Sequence, residues 1–591
     1  MIDVDRRDGA IVVNTARYEL EVDAAEPLAR LRWRAERPAT QLMLLAELDS
    51  DGGLDSTLRT AAPRVERDSD GVTITLDAVS TVWQEKQVRL HCGDDELAFQ
   101  ASIAGTGRLT NVRLLGGLYT GNPRWGGGIF HSRWPARSLF VPSPDDPRRL
   151  LQPAAESATI GVVGGDMPGR GHWFFTPAPF LLAGSAGAVE DPTDGSGRPW
   201  ETLELEAGVE AATFSELSYA ASAGGFTIVL AYDGQTAVDG RFTSPRLVIR
   251  LVESVPYEAV AAHAARLRAS GAAPGIERRP ADWWRRPIFC GWGEQFRQWR
   301  LHGGHPTEYS RRENYDRWLA LLADHGVAPG TVVIDDKWQT SYGRNEVDEE
   351  RWPDLRGWIA ERHARGQRVV LWFKAWDAEG LPAEACVVDR LGQRVAADPD
   401  SRAYQDILRA SLASLLGSGA LDADGLKVDF TAQTPSGPGL ERTGPAWGVA
   451  LLHRLLALVY RFAKEAKPDA LVVTHTPNPL FADVTDMIRL NDLLRLRDPQ
   501  PWAPAVAQMT HRARIAAAVD PGLLIDTDDW CMPSKREWRA YLEAKIRLGV
   551  PALYYATGID HSGEPFDDQD YAAIRDAWSR WQSTGAAGRP A

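Results

Sequence analysis

Apolar and polar positions alternate in short runs through the first 270 or so residues. The segments 10–22 (AIVVNTARYELEV), 71–79 (GVTITLDAV), 87–92 (QVRLHC), 96–105 (ELAFQASIAG) and 226–234 (FTIVLAYDG) repeat with period 2, which predicts half-buried strands. Gly, Asp and Pro clusters separate them. The first helical periodicity is 254–270 (SVPYEAVAAHAARLRAS). This half predicts a large antiparallel β-sandwich. The stretch 116–138 is rich in glycine and aromatics, and reads as a ligand-covering loop or an interface rather than plain sheet.

After 271–280 (GAAPGIERRP) the rhythm changes. Apolar runs now alternate with amphipathic helical segments such as NYDRWLALLADHG, the sign of a parallel sheet covered by helices. Eight such runs follow: 287–292, 331–336, 368–373, 425–430, 470–475, 486–491, 523–530 and 550–555. The fifth and sixth lie close together, so that connection is expected to lack a full helix. Eight runs in about 300 residues predict a (β/α)8 TIM barrel, an α/β fold. The boundaries are 1–272 for the sandwich and 273–591 for the barrel. A doubly wound open sheet is the alternative, weakened because no G-x-G-x-x-G follows a strand.

Composition narrows the class. The chain has 591 residues, 44% of them hydrophobic and 25% charged, which is globular. A net charge of −14 without a basic block argues against nucleic acid and against an anionic membrane surface. There is no signal-like start and no apolar run of membrane-spanning length. Four scattered cysteines fit free thiols in a reducing cytoplasm. Self-association is left open. The 22 tryptophans are unusual; most are expected in the core, but Trp also stacks on the apolar faces of sugar rings.

The ends of the barrel strands carry the candidate chemistry, because barrel active sites lie there. Strand 2 ends in Asp335 and Asp336, with Trp338 just beyond. Strand 3 offers Trp372 and Lys374, strand 4 Lys427 and Asp429, and strand 5 His475. Strand 6 offers Arg489 and Asp492, and strand 7 Asp528, Asp529 and Trp530. A lone Asp at a strand end is often only a helix cap. Carboxylates on four strands point into one crevice, which packing does not need because clustered like charges cost energy. Retaining glycoside hydrolysis needs two opposed carboxylates, about 5 Å apart. Asp429 suits the nucleophile and Asp492 the acid/base. Asp486 is a rival for the second role, but lies at the strand's start.

These motifs resemble the retaining α-glycosidase clan, glycoside hydrolase families 36, 27 and 31, and family 36 α-galactosidases most. VVIDDKWQ is similar to that family's strand-2 motif, RWPDLRGWIAERHARGQRVVLWF to the segment that follows, GLKVDF to the nucleophile motif and RLNDL to the acid/base segment. The resemblance implies an α-specific hydrolase of O-glycosyl bonds with no cofactor or metal, acting on an oligosaccharide or glycoside. It implies Asp429 as nucleophile and Asp492 as acid/base. Asp335, Asp336, Trp338, Trp372, Lys374, Lys427, His475, Arg489 and Asp529 are the candidate substrate-binding residues. The chain departs from the family at strand 5 (THTPNP), at Lys374 where a Glu is expected, and in ending soon after strand 8. Sugar identity therefore stays open: a galactoside, a glucoside, or an anionic sugar met by Lys374, Arg344 and Arg351. Transglycosylation uses the same residues. A metal-dependent barrel enzyme built on the Asp pairs with His475, and a non-catalytic carbohydrate-binding protein, are the readings from other classes.

Overall fold

A computed structural model describes residues 2–583 apart from 8, 35–37, 123, 145–149, 165–174, 190, 194–198, 223, 276 and 494–502. The period-2 runs form two sheets, antiparallel but for the pairing of Gly116–Tyr119 with Ser56–Thr60, which is parallel. One has five strands, from Asp3–Arg7 to Thr40–Met43. The other has 15 and is organised around two long strands, Glu96–Leu114 and Gly225–Thr243, paired along most of their length. The inward positions, among them Leu97, Phe99, Ala101, Ile103, Ile228 and Leu230, are fully buried, as alternation requires. The aromatic and Gly-rich segment 116–138 is not a lid. It supplies a hairpin to this sheet, Gly116–Tyr119 against Gly128–His131, and Trp134 packs on Tyr219 and Phe226. Gly116 and Gly117 have φ of 157° and 144°, and a Cβ on Gly116 would meet the Phe130 carbonyl. At Gly116 and Gly117 glycine serves close approach.

Helix α1 (Pro256–Ala269) leads to an eight-stranded parallel sheet. Its strands are β1 (Ile288–Cys290), β2 (Thr331–Ile334), β3 (Arg368–Lys374), β4 (Gly425–Asp429), β5 (Leu471–Thr474), β6 (Met487–Arg489), β7 (Leu524–Asp526) and β8 (Ala552–Leu553). They follow one another in chain order, and β8 pairs with β1. The circle closes where Asp526 bridges Val550, whose N–H reaches the Ile525 carbonyl at 2.7 Å. All eight apolar runs are therefore barrel strands; their residues are buried on both faces, so they lack alternation.

The outer ring is α2 (Trp292–His302) and α3 (Arg312–Asp324) after β1, α4 (Leu355–Ala364), α5 (Arg402–Leu416), α6 (Gly448–Ala466), α7 (Ala505–Val519), α8 (Lys535–Lys545) and α9 (Asp568–Ser583). Ser401 and Ser534 cap α5 and α8, each accepting a backbone N–H, which satisfies one of the orphan donors of a first turn. Only a short turn, Pro479–Phe481, joins β5 to β6, the missing helix expected from the sequence. Most tryptophans are core residues, among them Trp318, Trp352, Trp358 and Trp538. The four cysteines are free and buried.

The sandwich docks on the barrel near its mouth. Thr434 and Val449 donate backbone bonds to Val163 and Phe214, and the Asn478 amide reaches the Ala178 carbonyl. The Thr176 N–H bonds the carbonyl of His475 at 3.1 Å, just beyond β5, and its hydroxyl meets that of Thr431.

Candidate active site

One guanidinium organises the mouth. Arg489, 3% exposed at the end of β6, donates from Nη2 to Asp429 Oδ1 at 3.0 Å. Its Nη1 donates to Asp492 Oδ1 at 3.2 Å and to Asp528 Oδ2 at 2.9 Å. Three carboxylates from β4, the β6 end and the β7 end thus converge on a single cation. The forked guanidinium suits this because it presents several donors at fixed angles. A second buried pair lies beside it: Lys427 Nζ to Asp335 Oδ2 at 2.6 Å, with the Cys290 thiol donating to the same oxygen at 3.0 Å.

Asp429 is part-exposed, with 19% of its side chain accessible. Trp372 Nε1–H donates to its Oδ2 at 3.1 Å, and the Phe430 N–H to Oδ1 at 2.9 Å. Burial alone would raise its pKa; Arg489, His475 and Lys427 outweigh that and hold the carboxyl well below the usual range. Asp492 has the opposite balance. Burial, with Asp528 and Asp429 as neighbouring anions, pushes it up to about 7 against the pull of Arg489 and Lys427. Burial also lifts Asp336 to about 7, with Asp335 and Asp429 adding to it; the Tyr342 hydroxyl, donating at 2.8 Å, and Lys374 oppose the rise.

The loops are held by the fold. Arg512 of α7, fully buried, caps the carbonyls of Leu490, Asn491 and Asp492 at 2.7–2.9 Å. Trp376, Phe430, Asn491 and Asp528 all sit at positive φ, 41–70°, just past strand ends. Such non-glycine conformations cost energy and persist where the surroundings over-determine them, which is common at functional sites.

The remaining candidates divide. Asp335, Asp336, Trp372, Lys374, Lys427, His475 and Arg489 are all brought to the mouth. His475 is buried, its ring between Thr431 Oγ1 at 2.8 Å and Asn491 Nδ2 at 2.9 Å. Lys374 pairs with Asp377 at 2.7 Å, its ammonium 4.2 Å from the Tyr342 ring centre. Trp372 is not a free platform: it is 1% exposed and its N–H is spent on Asp429. Trp338 is fully buried and braces β3 through the Trp372 carbonyl. Asp529 faces away, sealed from solvent and bound to Lys545 and Trp538 of α8. Asp528 takes the place in the crevice instead. Arg344 and Arg351 are engaged by backbone carbonyls of Gly380, Thr307 and Lys337. Asp486 lies at the lower face, held by Lys464 and Tyr460. Among the described residues no group of three or more His, Cys, Asp or Glu is arranged to hold a metal ion; Asp335, Asp528 and Asp529 each already have a Lys or Arg partner.

Sequence reasoning missed Tyr342, Thr431, Asn491 and Thr176. Asp528 was named at the end of strand 7 beside Asp529, but which of the two faces the crevice is decided past the end of β7, where Asp528 has φ 41°.

No family model matches the chain, and no curated protein matches it in sequence. Solved structures do match in fold. A GH31 family sulfoquinovosidase from E. rectale, complexed with an aza-sugar inhibitor, aligns over 100% of this chain and 86% of its own, with a TM-score of 0.58 at 10% identity. An α-galactosidase from Thermus thermophilus, complexed with stachyose, aligns over 88% and 99%, with a TM-score of 0.50 at 15% identity. A cycloalternan-forming enzyme from Listeria monocytogenes, complexed with a pentasaccharide substrate, aligns over 98% and 59%, with a TM-score of 0.53 at 10% identity. The chain shares its fold with these α-glycosidases, sandwich and barrel together.

Proposed function

We propose that this protein is a retaining α-glycoside hydrolase. The observation that carries the reading is the pair Asp429 and Asp492: two carboxyl groups that accept from one guanidinium, the first held below the usual carboxylate range by its cationic neighbours and the second pushed above it by burial. Environments that separate two carboxyl pKa values mark a base or nucleophile beside an acid. Asp429, ionised, attacks the anomeric carbon and forms a glycosyl ester. Asp492, whose carboxyl is pushed up to about 7, gives its proton to the leaving oxygen, then deprotonates the water that releases the sugar. Both groups accept hydrogen bonds from Arg489, which ties them to one crevice, and double displacement requires that they lie about 5 Å apart there. Asp336, with Tyr342 donating to one of its oxygens, is placed to accept a sugar hydroxyl; Lys374 and Arg489 are the donors.

The α specificity rests on the motif resemblance and on the shared fold. The same motifs favour a galacto-configured sugar. Arg344 and Arg351 are committed to the backbone, which removes two of the three cations an anionic sugar would use.

Azide rescue tests the nucleophile. Asp429→Ala should lose turnover of an aryl α-glycoside, and azide should restore part of it, yielding the β-glycosyl azide. Near wild-type activity in Asp429→Ala would overturn the assignment. Aryl α-galactoside and α-glucoside assayed together decide the sugar; activity on β-glycosides alone would overturn the α assignment.

A further inference from the structure

The ring proton of His475, at the end of β5, has two places to go. Its Nε2 lies 2.8 Å from Thr431 Oγ1 and 3.8 Å from Asp429 Oδ1. Thr431 Oγ1 is in turn in hydrogen-bond contact with the hydroxyl of Thr176, a residue of the sandwich. We infer that Thr176 is a positioning residue for the nucleophile. Through Thr431 it holds the His475 N–H off Asp429, and the carboxylate keeps a lone pair for the anomeric carbon. The inference rests on the glycosidase reading.

What each group can donate sets the direction of the chain. The Asn491 amide nitrogen lies 2.9 Å from His475 Nδ1. An amide nitrogen donates and does not accept, so Nδ1 accepts and the ring proton sits on Nε2. That N–H reaches the Thr431 hydroxyl at hydrogen-bonding distance, and the carboxylate lies beyond it. Thr431 Oγ1 accepts from His475, so its own proton passes to Thr176 Oγ1. The three side chains are fully buried, and protein groups rather than bulk water orient each proton. Asp429 titrates well below the usual carboxylate range, where an ordinary imidazole is a cation, so His475 acts on it there as a charge. Near neutral pH the geometry fits the neutral ring. Backbone bonds hold the same segments without help from the hydroxyls. The Thr176 N–H bonds the His475 carbonyl at 3.1 Å, and the Thr434 hydroxyl bonds the Thr431 carbonyl at 3.0 Å. Arg512 caps the Asn491 carbonyl at 2.9 Å.

The state of the nucleophile shows why this matters. Asp429 Oδ1 already accepts from Arg489 at 3.0 Å and from the Phe430 N–H at 2.9 Å, and Oδ2 accepts from Trp372 at 3.1 Å. Each carboxylate oxygen has about two acceptor sites, so Oδ2 keeps the site that can attack. A buried N–H that loses its acceptor costs free energy, and a carboxylate accepts more strongly than a hydroxyl. Without the Thr431 hydroxyl, the His475 N–H therefore turns toward Asp429 and draws charge from it. The two halves of double displacement respond in opposite senses. In the first, Asp429 gives an electron pair to the anomeric carbon, and a further donor slows it. In the second, Asp429 takes that pair back as water releases the sugar, and the same donor assists. Loss of packing alone would slow both.

The test removes one hydroxyl at a time. Thr431→Val and Thr176→Val keep the shape of the side chain, and Thr176→Ser keeps the hydroxyl. The first half-reaction is read as kcat/KM on nitrophenyl α-galactoside and α-glucoside. The second is read as reactivation of enzyme trapped as a glycosyl ester by a fluorinated galactosyl or glucosyl fluoride. Thr431→Val should lose about tenfold in kcat/KM while reactivation holds or quickens. Thr176→Val should shift both in the same directions, and Thr176→Ser should restore most of the kcat/KM. Equal slowing of the two half-reactions, or a serine variant as impaired as the valine one, would overturn the relay. An arm without substrate separates this from the glycosidase reading. The ring signals of isotopically labelled histidine are recorded by NMR, with His475→Gln to identify the signal. The wild type should show the Nε2–H tautomer, and its proton should move downfield in both valine variants. The Nδ1–H tautomer in the wild type, or an unmoved signal in both variants, sinks the relay. A signal that moves in a protein that turns over neither glycoside supports the relay and sinks only the glycosidase reading. Alanine replaces any valine whose melting curve shows that the protein has not folded.

Discussion

Asp528→Asn is the most informative single change at the mouth. Asp528 and Asp492 accept hydrogen bonds from the same Arg489 nitrogen, at 2.9 and 3.2 Å. Two oxygens that touch one nitrogen lie within about 6 Å of each other, where a unit charge at an effective dielectric of ~20 contributes about 3 kcal/mol. That corresponds to roughly two pKa units. Asparagine keeps one oxygen for Arg489, removes the charge, and gives up the bond that Asp528 Oδ1 accepts from the Trp530 N–H. The groups that face Asp492 are Arg489, Asp528, Asp429 and Lys427, with the Cys531 thiol beside them. Deleting one anion from this set favours the ionised form, so the pKa of Asp492 falls. The acid must be protonated to act, and the basic limb of kcat/KM reports the free enzyme. In the wild type that limb should fall near pH 7. In Asp528→Asn it should move about one to two units lower, measured on an aryl α-glycoside under conditions where the melting curve shows the protein folded. A variant that loses rate equally at every pH, with its basic limb in place, would refute the charge argument and leave Asp528 a packing residue.

Other outcomes follow from the same geometry. Asp492→Ala should lose far more rate on alkyl or sugar leaving groups than on activated aryl ones, because weak leaving groups depend most on the general acid; equal losses would point to another acid. Asp336→Asn should cut kcat/KM at least tenfold yet stabilise the fold. The Asp336 pKa is raised when folded, so its ionisation destabilises the native state as pH rises from about 4 through 7. The gain in Tm over wild type should therefore grow between pH 4 and pH 8, and a constant gap would contradict this. Lys545→Met strands Asp529 as a buried, unpaired charge where both side chains are sealed from solvent. It should lower stability by about 3–5 kcal/mol in a denaturant titration, and Asp529→Asn in the same chain should recover part of that loss.

Much of this architecture can be read from residue order, and the parts that cannot share a cause. The barrel strands are legible because burial on both faces makes them short apolar blocks, such as 331–334 and 471–474. Asp429 and Asp492 are legible because they end such blocks. Asp529 misleads because side-chain direction past the end of β7 depends on Asp528 at φ 41°, a backbone detail no pattern encodes. Trp338 and Trp372 mislead differently: an aromatic near a sugar site is as useful for bracing the strand as for meeting the ligand, and burial decides which. Thr176 is invisible from the sequence, since its contacts with Thr431 and His475 span hundreds of residues. The segment 116–138 misleads through composition, because glycine serves close packing as readily as motion.

The Thr176 contacts bear on how such a molecule can change over time. A barrel whose rim is tied to another sheet cannot be cut out and carried as a free-standing catalyst. Residues 280–583 alone would lose the N–H that fixes the carbonyl of His475, the sheet edge under Thr434, and the backbone partners of α6. Changes at Val163, Thr176 or Ala178, whose backbone groups bond Thr434, His475 and Asn478, are transmitted to the rim without any change in the barrel sequence. Variation in what the crevice admits is thus available to a region that contains none of the reacting groups, and the two halves are bound to diverge together.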